Sequence, residues 1–183
     1  MNAKRQFGLI AFLFAVFSNA EFALAQQSVG LVFSQTFIGT CAQDFPDTDR
    51  LKAAAKTFGW KELNDPNIRA MFGPADPSAI WQSWFLTQDN SKFVVGISEG
   101  IVDGKQVRTC NLVQDRTDVK SVISELTKLL NATKIDESME AGQRSMVWQF
   151  KKNDQSYLLL TLDGTPMNME LINATITSDI RAK

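Results

Sequence analysis

The chain has 183 residues, 44% of them apolar and 21% charged, with 19 basic against 20 acidic side chains, two cysteines and no histidine. These totals describe a globular chain and exclude disordered, collagen-like, disulfide-dense and multi-span membrane classes. The missing histidine excludes Ser-His-Asp and Cys-His nucleophile activation, His-containing zinc sites and an imidazole acid or base near neutral pH.

In chain order, the first segment has the pattern of a cleaved secretory signal. Lys4 and Arg5 form a positive start, Phe7 to Phe17 make an uncharged apolar run of eleven residues, and Ala23-Leu24-Ala25 supplies a small-x-small cleavage site. The mature chain is therefore expected to begin at Gln26, with residues 1–25 removed. Eleven residues at about 1.5 Å each span roughly half of a ~30 Å hydrocarbon core, so stable membrane insertion is not expected. No cysteine near the cut offers a place for a lipid. The short basic start and Ala-rich cut have a bacterial style, so the expected location is the periplasm or the medium.

Removal of residues 1–25 takes Lys4, Arg5 and Glu21 with it, leaving 158 residues and a net charge of −2 in place of −1. That length suits one domain over residues 26–183. Without a basic excess there is no electrostatic footprint for nucleic acid or anionic lipid. Cys41 and Cys110 both lie in this domain, and two thiols in an oxidising compartment are expected to form one intramolecular disulfide. No Cys-x-x-Cys spacing points to redox chemistry.

The segment 26–40 reads two ways: Phe33 and Phe37 have helical spacing, while Val29, Leu31 and Phe33 alternate as in a strand. A helix follows, with Asp47, Thr48 and Asp49 at its start, Leu51, Ala54, Ala55 and Phe58 on one face, and Gly59 at its end. Residues 59–79, with Gly73, Pro66, Pro74 and Pro77, read as an irregular loop, a kind of segment that often carries function. Strands are then expected at 80–87, 92–98 and 106–113, separated by turn-forming residues. A second helix opens at Thr117 or Asp118 and carries the stripe Val119, Val122, Ile123, Leu126, Leu129 and Leu130. Three more strands are expected at 145–151, 157–162 and 170–176.

Short connections between strands imply antiparallel meanders. The expected fold class is α+β, as two helix-plus-three-strand units (αβββ-αβββ) over 26–115 and 116–183, in one or two antiparallel sheets with the helices on one face. A shift of 64 residues superimposes the strand triplets and places Trp84 on Trp148, yet only 3 of the 37 pairs are identical. This repeated topology carries little evidence of common ancestry. The tandem order is similar, at the level of fold alone, to that of some secreted inhibitor proteins.

Strand alternation that turns Trp84 and Leu86 inward sends Trp81, Ser83 and Phe85 to the other face. With Trp60 and Phe72 in the neighbouring loop, Trp81 and Phe85 form the candidate binding patch, because aromatic side chains supply large contact areas. Burial of that patch beneath the loop is the competing reading. Asp44, Asp47 and Asp49 lack the glycine and terminal glutamate of a calcium loop, and helix capping accounts for Asp47 and Asp49, so no metal is assigned. No cofactor motif and no catalytic residue is identified. Asp65, Asp76, Asp89, Glu99 and Asp163 are the acids available to a glycosidase-like mechanism, but no spacing selects a pair. The two Asn-x-Thr patterns, at Asn131 and Asn173, and the methionines Met167 and Met169 carry no assignment.

The expected function is that of an exported, non-enzymatic binding or accessory protein, inhibitor-like, whose partner is a protein or envelope component met by the aromatic sheet face or the 60–79 loop. The alternatives are a carboxylate-dependent periplasmic hydrolase and a structural or assembly protein of the envelope.

Overall fold

A computed structural model describes residues 28–43 and 47–179. The expected cleavage site after Ala25 and the residue Asp44 lie outside the described residues. The helical spacing of Phe33 and Phe37 is realised: α1 spans Val29–Phe37 and runs into a wider π-helical turn, Ile38–Ala42. There follow α2 (Thr48–Phe58), the two-residue strand β1 (Lys61–Glu62), α3 (Pro66–Phe72), β2 (Ile80–Gln88), β3 (Ser91–Val102) and β4 (Lys105–Asp115). The chain continues with α4 (Val119–Leu130), β5 (Thr133–Glu140), β6 (Gln143–Lys152), β7 (Gln155–Asp163), a 3₁₀ turn at Thr165–Met167 and β8 (Leu171–Asp179).

The fold is α+β, and all eight strands join one antiparallel sheet in the order β1-β2-β3-β4-β8-β7-β6-β5. The expected αβββ-αβββ order is not what the chain adopts, because α1, β1, α3 and β5 are additional elements. The region 59–79 is partly structured. Asp65 caps α3 by accepting the Asn67 N–H at 2.8 Å, and Pro66 occupies the first helical position, where a missing N–H costs nothing. The helices are not confined to one face either. Leu51 of α2 and Val122 of α4 join the main core, whereas the α3 end meets the opposite face, where Asn111 Nδ2 donates to the Phe72 carbonyl.

The strand pairings repeat closely. Adding 64 to both members turns Ile80↔Glu99 into Arg144↔Asp163, and Val94↔Val113 into Leu158↔Thr177. Adding 64 to Asn111 gives Thr175, its own partner across the β4–β8 seam, so an approximate two-fold axis passes through that pair. The edge pairing Lys61↔Phe85 likewise becomes Thr133↔Gln149 once the β1 residue is shifted by 72. The difference of eight residues lies in the β1–β2 connection, which holds α3. The β5 edge is broken by a register shift between Lys134 and Asp136.

The core lies between the sheet and α1, α2 and α4. Gly30, Val32, Phe33, Ser34, Thr36 and Phe37 of α1 are all buried, so this helix has little wet face. Its buried hydroxyls are satisfied by carbonyls one turn back: Ser34 Oγ donates to the Gly30 carbonyl and Thr36 Oγ1 to that of Val32. The carbonyls of the π-helical turn are met by cations from elsewhere, as expected at the negative end of a helix. Arg50 donates to Gly39 and Thr40, and Lys152 Nζ to Ala42. Within that turn Cys41 is bonded to Cys110 of β4, which ties α1 to the central strands.

Both expected helix caps are present. Asp47 Oδ1 accepts the Arg50 N–H at 2.9 Å, and Asp118 Oδ1 accepts the Ser121 N–H at 3.2 Å. The Arg50 N–H, helped by the nearby Arg108 charge against some desolvation, holds the Asp47 carboxyl below its usual range. The α2 face differs from expectation at one place: Phe58 is 72% exposed and stacks on Trp60 rather than entering the core.

This core makes three predictions. Replacing Cys41 and Cys110 together by serine is expected to lower stability by about 4 kcal/mol in urea denaturation, since the bond closes a loop of 69 residues. Gly30 sits where a Cβ would lie 2.5 Å from the Ser121 carbonyl oxygen of α4. Gly30→Val is expected to cost about 3 kcal/mol. Gly39→Ala, with nothing within 4 Å of the added carbon, should leave stability unchanged or raise it by up to about 1 kcal/mol.

Candidate functional site

The sheet face turned away from α1, α2 and α4 is the candidate site. Alternation along each strand assigns its members, since Trp84, Leu86, Val95 and Leu112 belong to the core. Three registered rows cross β2, β3, β4, β8, β7 and β6. One runs Phe85, Val94, Val113, Asn173, Leu162 and Ser145. The next runs Ser83, Gly96, Asn111, Thr175, Leu160 and Val147. The third runs Trp81, Ser98, Thr109, Thr177, Leu158 and Gln149.

None of these positions carries a charge, whereas the helix-facing side of the same strands holds the pairs Glu99–Arg108 and Asp163–Arg144. Charged residues of the open face stand at the strand ends, at Lys92, Lys105, Asp115 and Lys151, and on the edge strands, at Lys61 opposite Phe85 and Asp136 opposite Val147. The centre is therefore a mixture of hydroxyl, amide and apolar groups, with Leu158 51% exposed and the Thr109 and Thr177 hydroxyls 3.2 Å apart.

Of the four aromatic residues expected to form a patch, the structure puts three on or against this face. Trp81 and Phe85 are half-buried members of β2, and Phe72 stands at the end of α3, whose carbonyl Asn111 holds at 3.1 Å. Trp60 lies on the other side, against the core and Phe58, because it immediately precedes β1 and its neighbour Lys61 takes the position opposite Phe85. Gly96 permits the arrangement on the open face. A Cβ there would meet Asn111 Oδ1 at 2.4 Å and Trp81 Nε1 at 3.0 Å, so both side chains lie across the bare backbone. The two-fold counterparts of Trp81 and Phe85 are Ser145 and Gln149. The aromatic side chains and the α3 insertion thus occur together, in one half only.

The acids considered for hydrolysis are dispersed into local roles. Asp65 caps α3, and Asp76 accepts from the Ser78 hydroxyl and N–H, the hydroxyl first, which hold its carboxyl below the usual range. Glu99 accepts from Thr48 and Arg108, and Asp163 from the Thr165 N–H and hydroxyl. Asp89 is a turn residue with φ 47°. Among the described residues, no group of three or more Cys, Asp and Glu side chains is arranged to hold a metal ion, and no helix is long and apolar enough to cross a membrane. Asp47 and Asp49 belong to the first turn of α2 and its cap.

A feature invisible in the sequence is a groove of about 710 Å³ on the helix side, between α4 and the strands β6 and β7. It is assembled from segments spread between Arg116 and Glu170, which no local pattern connects. The chain matches no protein-family model, no curated protein and no solved structure.

Gly96→Val is expected to displace Trp81 and Asn111, release the Phe72 carbonyl and loosen α3. The check is a red shift in tryptophan emission, which a Trp81→Phe background should lack, together with faster proteolysis within residues 66–79.

Proposed function

We propose that this chain is an exported, non-enzymatic binding protein that engages a protein or envelope component through the open face of its sheet. One observation carries the reading: eighteen uncharged positions in register span six strands, with Ser83, Gly96, Asn111 and Val113 buried, the others half-buried or exposed, and half-buried Trp81 and Phe85 at one side. An antiparallel sheet that faces only water ordinarily alternates apolar inside with polar outside. Here the open face holds half-buried Phe85, Val94, Leu160 and Leu162 and exposed Leu158 as well, and apolar groups gathered on a surface in this way mark interaction sites. A centre depleted of charge inside a charged rim is also how protein interfaces are composed.

Export rests on the amino-terminal pattern and is supported by the disulfide, a bond that persists in oxidising compartments. The acids supply no convergent pair, which favours binding over hydrolysis. The α3 insertion is the part of the 60–79 region that borders the surface, and it is where specificity would reside.

The test places a photo-crosslinking amino acid at Ser98, in the middle of the open face, and in a control at Lys52 on α2. Expression in the native host should give mature protein starting at Gln26 by mass spectrometry, and one discrete adduct from Ser98 alone. Phe85→Lys is expected to reduce that adduct at least about tenfold without changing the melting temperature. Equal adducts from both positions, or none from either, would refute the reading.

A further inference from the structure

We propose that the groove between α4 and the strands β6 and β7 binds a small, uncharged amphipathic molecule whose head accepts hydrogen bonds, of the acyl amide or ester class. It lies on the opposite side of the sheet from the open face and does not depend on the binding role argued above. At about 710 Å³ it falls in the size range of small-molecule sites. Ile123, Met146 and Trp148 provide its apolar lining. The Trp148 indole N–H is already donated to Thr161 Oγ1 at 3.0 Å, so the ring offers contact area rather than a free donor.

The charges around the groove balance, with Arg116, Lys120 and Arg144 against Asp118, Asp163 and Glu170. Asp163, its side chain 5% exposed, faces Arg144 at 3.6 Å, and Asp118 caps its own helix. A net anion or cation therefore gains no field from the lining, while a neutral acceptor finds the partly exposed Arg144 guanidinium. Thr117, 6% exposed, also lines the groove, and its buried hydroxyl has no partner among the described residues. Such a group is costly to leave unpaired and calls for a polar partner, a water or a ligand.

Comparison of the two halves explains why the space is there. The shift of 64 carries Glu99 onto Asp163. In the first half the helix closes on that acid: Thr48, which follows the capping Asp47, donates to Glu99 Oε1 at 2.9 Å, and Arg108 lies 2.7 Å away. In the second half Val119 follows the capping Asp118 and has no hydroxyl to donate, and Ile172 stands at the counterpart of Arg108. The Thr48–Glu99 contact of the first half has no counterpart in the second, where the groove lies.

The test uses the uncharged fluorophore 1-N-phenylnaphthylamine with the purified protein. Saturable binding of one molecule per chain is expected, displaced by decanamide at a concentration at least about fivefold below that needed for decylamine or decanoate. Ser124→Trp and Thr127→Arg, both on the α4 side of the groove, should each weaken binding at least about tenfold. Phe85→Lys, on the open face, should leave it unchanged. Each variant is scored at a native melting temperature, and the second blocking variant stands in if the first is unstable. Absence of saturable binding, binding indifferent to the blocking variants, or equal displacement by a charged competitor would overturn the proposal.

Discussion

The arrangement depends on the seating of α1. A nine-residue helix with Val32, Phe33, Phe37, both of its hydroxyls and its one glycine buried is held between α4 and the sheet. Its hydroxyls return to its own backbone, its glycine allows direct contact with the α4 backbone, and its far end is fixed by Arg50, Lys152 and the disulfide. The outcome is that the middle of one face of the sheet is used as a core. With three helices committed to that side, the other face is left with only the small helix α3 at one corner.

The same constraint accounts for what was legible in the residues. α2 and α4 sit on the sheet with one wet side, so their apolar stripes and acidic caps could be read directly. α1 has almost no wet side, and Ser34, Thr36 and Thr40 interrupt its hydrophobic run. Periodicity therefore left it ambiguous between helix and strand. β5 was missed for the opposite reason: as an edge it is bordered by charge, with Lys134 paired to Glu137, and Ile135 and Met139 exposed. α3 had a clear Asp-Pro start, but the density of proline and glycine around it read as irregular chain.

The candidate surface was partly legible because a period of two is enough to separate Trp81 and Phe85 from Trp84 and Leu86. Trp60 could not be placed in that way, since its side depends on β1, a strand of two residues too short to show alternation. Ile80 and Arg144 share the sides of Trp84 and Trp148 by alternation yet stay out of the core for a related reason. Both lie toward strand ends, where the helices no longer cover the sheet, so Ile80 is 66% exposed and Arg144 pairs with Asp163 at the rim. Alternation assigns a side, and burial needs a second layer above it.

The seam at the two-fold axis bears on how the chain reaches this state. β4 and β8 pair Asp115 with Leu171 and Val107 with Asp179, partners more than fifty positions apart. Hairpins within each half form from neighbours, but the seam forms only after a long loop has closed. Closure over such distances slows folding by its entropy. Until it happens, the inner edges of both half-sheets are unpaired strands, and the edge of β4 is as open to a foreign strand as to β8. The molecule is thus most exposed to misassembly before its two halves meet, and the disulfide is anchored in β4, on one side of that seam.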